Sequence, residues 1–411
     1  MGAEISAPFF MNKIENKNYL SSLDGMRGFF CLCILFCHFH FTYLKLPYIV
    51  GYLLLHSFFV MSSYLITVNL LYAKNKHDSF KKFFIEFYTK RVLRIFPTYF
   101  LYFFIILFIG IITAHSPLKQ KLGITYEIKY FGWMVVSFTY NFKDFWAWFQ
   151  GLNYKASYAF PHLWSISFEE QFYLIIPFLI FMFSKKWLIR ISIFMMIAFA
   201  IIRIIGVDYM LSIINDPYLP SFIFIKSTFF QFDTFFYGVL LAVLNPDLKK
   251  RDIRIFYVLL IVFVFSCLGN AYYLTLYNKK SIVDNLYSYI FPVEGFHRYY
   301  YHVLINMICF YLVFIAVKKQ SYFKLFTIPF FISVGKYTYG VYVYQYLFIF
   351  PIAFYLVPYL KSLLGYDLIV EILATCLIIF LLLRFSNFIY TKYELYCINK
   401  KDLILQKLKI K

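Results

Sequence analysis

This chain of 411 residues is short of charge, and shorter still of acid. Charged residues make up only 15% of it, and 20 Asp and Glu stand against 40 Lys and Arg. No stretch reads as a soluble domain and none as a long disordered linker, which excludes a globular module on a stalk. No internal repeat is present, which counts against a transporter built from repeated halves. No secretory signal precedes the first apolar run. Arg27 flanks that run and no small-residue cleavage site follows it, so it reads as a retained span. The seven cysteines show no paired pattern. Cys31, Cys33 and Cys37 stand close to His38, but one helix cannot wrap their diverging side chains round a single ion. Packing is therefore expected there, and no metal site.

What is present is grease. Hydrophobic residues reach 62%, where a soluble protein of this length is nearer half. Aromatics reach 24%, through 55 Phe and 40 Tyr. Runs of about 18 or more apolar residues recur along the whole chain, the pattern of a polytopic helical membrane protein. Ten candidate spans fall at 28–45, 47–72, 95–114, 163–183, 187–206, 221–245, 254–275, 299–317, 327–357 and 366–390. The formal charge of +20 suggests a nucleic-acid partner only until the loops are counted one by one. Alternate connections, starting with the N-terminus, hold 26 Lys and Arg, and the other connections hold 10. The positive-inside rule then places both termini in the cytoplasm, and no nucleic acid is needed. The expectation is an all-α, polytopic transmembrane helical bundle of about ten spans in a cell membrane. It forms one domain over 1–411, with an N-terminal cytoplasmic tail at 1–22 and a basic C-terminal tail at 391–411. The largest outer segment, 115–162, is broken by Lys143 and Asp144. It is expected to lie at the outer interface or fold back, with Trp133, Trp146 and Trp148 at headgroup depth.

Polar residues inside such spans are functional candidates by default. In LDGMRGFFCLCILFCHFH (23–40), Arg27 and His38 are eleven residues apart. On one helix they share a face and stand about 16 Å apart along the axis. His40 is turned about 200° away from His38 and reads as interfacial. In HLWSISFEEQFYL (162–174), Glu169 lies about 9 Å into an outside-to-inside span, a depth comparable to that of His38. An acid and an imidazole at matched depth suit a general base and its orienting partner, or a structural pair satisfying each other. Arg91 and Arg94 project from one face of a basic, amphipathic stretch at the inner surface. Their planar forks match phosphate oxygens, whether of a ligand or of lipid headgroups. In QFDTFFYG (231–238), Asp233 sits near the midplane, costly unless paired or hydrated. Lys226 and Gln231 are its near neighbours in sequence.

Taken together these segments resemble the acyltransferase-3 family of integral membrane O-acyltransferases. Arg27 and His38 match its pattern of Arg, ten residues, His. FFVMSSYLIT (58–67) resembles the segment that follows, with Ser63 where Gly is usual. RVLRIFPTYF (91–100) resembles its Arg-x-x-Arg loop and the continuation through a proline. HLWSISFEEQFYL resembles its Glu-Glu-Gln motif. QFDTFFYG departs from it at Gln231, where Arg is usual. GKYTYGVYVYQ (335–345) departs at Gln345, where His is usual. The motifs run in the family's order across most of the chain.

The resemblance implies transfer of an acyl group, acetyl on family grounds, from cytosolic acyl-CoA to a hydroxyl of an extracytoplasmic glycan or lipid-linked sugar. Acyl-CoA is a donor substrate and no bound cofactor is implied. O-antigen, capsule, another exopolysaccharide and peptidoglycan all remain as acceptors. The donor's phosphates would dock near Arg27, Arg91 and Arg94, and the pantetheine arm would bring the thioester to His38. His38 would act as base or acyl carrier, with Glu169 as its orienting acid. His162, Trp164, Ser165 and Gln171 of one motif, Asp233 of another, and Tyr339 and Gln345 of the last would bind substrate or support the site. With no hydrolase-like domain after the last span, further processing would fall to another protein. A proton- or ion-coupled transporter is the alternative drawn from the same His38, Glu169 and Asp233. It leaves the arginine pair and the ordered motifs without a purpose.

Overall fold

A backbone in lipid must satisfy its own N–H and C=O groups, and helices do so within one segment. Every regular element among the described residues is helical. The computed structural model describes residues 21–39, 41, 43–44, 46–77, 79–115, 123–153, 159–216, 218–288 and 297–408. His40, residues 1–20 of the N-terminal tail, residues 409–411 of the C-terminal tail, and 116–122 and 154–158 of the outer segment lie outside them, so what was expected of these is left as it stood.

The main helices are α1 (Ser21–Cys37), α2 (Tyr48–Lys76), α3 (Phe80–Thr113), α4 (Ile124–Val136), α5 (Leu163–Met182), α6 (Lys185–Ile213), α7 (Asp233–Leu244), α8 (Lys250–Asn278), α9 (His297–Lys318), α10 (Pro329–Lys336), α11 (Thr338–Pro351) and α12 (Asp367–Ile389). Among the described residues, eight helical stretches are long and apolar enough to cross a membrane: α2, α3, α5, α6, α8, α9, and the continuous stretches Thr338–Leu364 and Asp367–Lys407.

Three of the ten expected spans take another form. α1 has 17 residues and stops at Cys37, not near residue 45. Beyond it the chain is still apolar, with Phe39 and Phe41 buried in the core. Hydropathy alone cannot tell such a packed turn from more helix. The expected span 221–245 is three pieces: Leu219–Lys226, Thr228–Gln231 and α7. The first break falls at Ser227, whose backbone is extended and whose Oγ accepts from Phe229 N at 3.3 Å, an N-cap. The expected span 327–357 likewise divides at Tyr337, between α10 and α11.

Small residues let these helices approach closely, as membrane bundles require. A Cβ added at Gly28 of α1 would lie 2.1 Å from Phe331 O of α10. One added at Gly238 of α7 would lie 2.0 Å from Ser63 Oγ of α2, so Gly238 makes the room that Ser63 occupies.

The described part of the outer segment folds back into the protein. Phe131, Val135 and Ala147 are fully buried. The two charges that interrupt its apolar run find partners on other elements: Lys143 Nζ meets Glu127 Oε1 at 2.9 Å, and Asp144 Oδ2 accepts from Lys226 Nζ at 2.7 Å. Trp133 stays about half exposed, with its ring 5.9 Å from that of Trp146.

Candidate active site

α1, α2, α3, α5 and α11 surround a cavity of about 100 Å³. Its polar end holds Arg27 of α1, Arg91 and Arg94 of α3, and Glu169 and Glu170 of α5. The α1 wall is Arg27, Cys31 and Ile34, residues at steps of four and three on one helical face. The cavity thus follows that face from Arg27 for about 10 Å and stops one turn short of His38.

Three guanidiniums converge here, close enough to feel one another's charge. Each is steadied by a neighbour. Asp24 Oδ1 lies 3.9 Å from Arg27 Nη1. Arg91 lies over the rings of Tyr173, at 4.9 Å, and Phe87, at 5.5 Å. Glu394 faces Arg94. Like charges gathered in a low-dielectric bundle are costly unless an anion shares the space. α3 is fixed beside α11 at the proline in its middle. Tyr339 OH donates to Ile95 O at 3.1 Å and Tyr344 OH to Thr98 O at 3.2 Å, on either side of Pro97. Tyr173, at i+4 from Glu169, donates to Glu169 Oε2 at 3.2 Å. Glu170 Oε1 is buried without a hydrogen-bond partner.

His38 stands just past the C-terminal end of α1, in a tight turn where its N–H reaches Leu35 O at 3.0 Å. The partner the structure gives its ring is Gln345, with Nδ1 and Oε1 2.8 Å apart. Gln345 Nε2 is committed to Tyr342 O at 3.0 Å, so Oε1 accepts and Nδ1–H donates. In the neutral ring the basic nitrogen is then Nε2. Matched depth along two helices pointed to Glu169 as the orienter. The structure puts Glu169 among the arginines and gives His38 a carboxamide instead. Depth is one coordinate only, and the rotation of each helix decides which side chains meet.

Gln345 departs from the residue usual in the family, and here that departure sits against the candidate base. Tyr346 packs between two histidines, 5.7 Å from the His38 ring and 4.9 Å from that of His162. It also lines a second, apolar cavity with Ile106, Ile109 and Phe350. His162 Nε2–H donates to Val343 O at 2.9 Å, and Ser165 Oγ donates to Tyr342 OH at 2.6 Å, tying α5 to α11. Trp164 is buried edge-on to Phe59. Gln171 turns to the outer segment and donates to Phe138 O at 3.0 Å and Asn141 Oδ1 at 2.8 Å.

Asp233 belongs to a separate, sealed network. Arg203 of α6 holds it bidentately, at 2.6 and 2.9 Å. His302 Nε2 is 3.4 Å from Asp233 Oδ1, and Tyr52 OH is 3.0 Å from His302 Nδ1. Neither sequence neighbour is its partner: Lys226 pairs with Asp144, and Gln231 donates to Tyr52 OH at 2.6 Å and Phe224 O at 2.7 Å. The signal was present in the sequence, since Arg203 and Asp233 are opposite charges inside spans. Among the described residues, no three His, Cys, Asp or Glu are grouped to hold a metal.

Helices of membrane length around an arginine-lined cavity that leads toward a histidine define a membrane protein with a buried polar site. The acyltransferase-3 family's acyltransferase domain matches residues 20–386, and the chain belongs to that family. It is similar to O-acetyltransferase OatA of Staphylococcus aureus strain NCTC 8325 / PS 47, at 25% identity over 388 residues, covering 91% of this chain and 58% of that protein. OatA of strain MRSA252 matches with the same identity and coverage. The chain therefore spans little more than half the length of these relatives. No solved structure matches it.

Proposed function

We propose that this protein moves an acetyl group from acetyl-CoA to a hydroxyl of an extracytoplasmic glycan or lipid-linked sugar. The observation that carries the reading is the cavity that runs along α1 from Arg27 toward His38. The arginine end receives the donor's phosphates through planar, multi-donor forks. The pantetheine arm extends between α1, α2 and α5, past Cys31 and Ile34, and presents the thioester to His38. The nucleotide then never crosses the bilayer. On this reading the Arg27 end and both chain termini face the cytoplasm, as the loop charges favour.

His38 Nε2 takes the proton of the acceptor hydroxyl as its oxygen bonds to the thioester carbon. The C–S bond breaks, and the leaving thiolate recovers that proton from His38. Gln345 holds the ring in the tautomer this requires. Tyr346 and the apolar cavity behind it suit the lipid portion of a lipid-linked acceptor. Acyl transfer through His38 itself uses the same geometry, with Nε2 as the nucleophile.

The donor assignment is tested by binding acetyl-CoA to purified protein. Arg91→Ala and Arg94→Ala are each expected to weaken binding by roughly tenfold, on the scale of a lost charge-assisted hydrogen bond. Lysine at either position restores it in part, because the charge returns without the fork. Normal binding by both alanine variants would reassign the arginines as lipid anchors. The acceptor is identified by mass spectrometry of surface glycans from wild-type and deletion strains, where the deletion is expected to lose one acetyl mass. Unchanged glycans would overturn the acceptor class.

A further inference from the structure

The match to the family ends at residue 386, but the chain continues and returns to the site. α12 passes into a π-helical turn, Tyr390–Glu394. Two short helices follow, Leu395–Asn399 and Lys401–Lys407, and both pack against α3. A π turn widens the helix and re-aims what comes after it, and such turns recur at functional sites. Here it brings Glu394 inward, to 1% exposure.

Glu394 Oε2 faces Thr98 Oγ1 at 3.5 Å. Thr98 is four residues beyond Arg94 on α3, so the two share a face, and Glu394 lies against it. A hydroxyl at that distance is a weak partner for a buried carboxylate. The Arg94 charge reaches Glu394 and also Tyr390, at the start of the same turn. Burying a carboxylate without a cation is costly, so the two groups account for each other. The neighbours that steady Arg27 and Arg91 come from within residues 20–386. The carboxylate that faces Arg94 comes from beyond them.

We infer that Glu394 is a positioning residue for the donor, holding the Arg94 guanidinium toward the cavity, and that the segment 390–407 is part of the donor site. The inference rests on the donor assignment above. Charge and position predict opposite results. As a charge, Glu394 repels the donor's phosphates, and its removal would tighten binding. As a positioning group, its removal loosens binding.

The experiment measures acetyl-CoA affinity of the full-length protein in nanodiscs for wild type, R94A, E394Q and the double variant. E394Q is expected to bind roughly tenfold more weakly, and in the R94A background to change nothing further, because the two residues act as one unit. E394D keeps the charge and should recover most of the affinity. Unchanged or tighter binding by E394Q, or full additivity with R94A, overturns the inference. If E394Q does not elute as a monodisperse protein, R94A and E394D carry the test. E394D is then expected to bind about threefold more weakly than wild type but to match R94A in that background, and equal affinity to wild type overturns it. Normal binding by R94A would bring down the donor assignment itself. A weakened R94A beside an unaffected E394Q brings down only the role of Glu394.

Discussion

His38→Ala is expected to abolish the proposed acetyl transfer while acetyl-CoA still binds at the arginine end. Removing a general base costs about 10²–10⁴-fold in rate, and the arginines proposed to hold the donor's phosphates lie a cavity's length away. Gln345→Leu gives a smaller loss, roughly tenfold. It leaves the His38 Nδ1–H without the acceptor now at 2.8 Å and frees the ring to turn or change tautomer. Gln345→Glu keeps an acceptor there and retains most of the rate. Transfer to the acceptor is measured by mass spectrometry, donor binding by affinity, and folding by fluorescence-detected size exclusion. Near-normal transfer by a folded His38→Ala protein would reduce His38 to a bridge between α1 and α11.

Asp233→Ala is expected to destabilise the protein by about 3–5 kcal/mol, the penalty for stranding a buried charge. Arg203 and Asp233 are 2% and 0% exposed, and Arg203 also donates to Phe230 O at 2.7 Å. With the carboxylate gone, the buried guanidinium loses its bidentate partner. Replacing both partners by apolar residues, Arg203→Met with Asp233→Leu, recovers much of the loss, because nothing charged then remains buried. Unfolding in detergent measures both. An Asp233→Ala protein as stable as wild type, yet inactive, would move Asp233 from this framework role into the chemistry and revive its place in an ion path.

The helical class and the membrane setting were legible in the sequence because they rest on composition and run length, which are local properties. The helical face of Arg27 was legible for the same reason, since helical periodicity is set within a few turns, but His38 falls in the turn beyond the helix. Arg91 and Arg94 were legible as a pair on one face, and both line the cavity. The end of α1 at Cys37 was not, because buried Phe39 and Phe41 read as apolar in a helix or a turn alike. Which polar group meets which was decided only by the tertiary structure. His38 and Gln345 are 307 residues apart, Arg203 and Asp233 belong to different helices, and Thr98 and Glu394 are 296 residues apart. Such pairings depend on how each helix is rotated and how deep it sits against its neighbours. That is fixed by the close contacts at Gly28 and Gly238 and by the sum of the core packing, none of which a single helix carries in its own sequence.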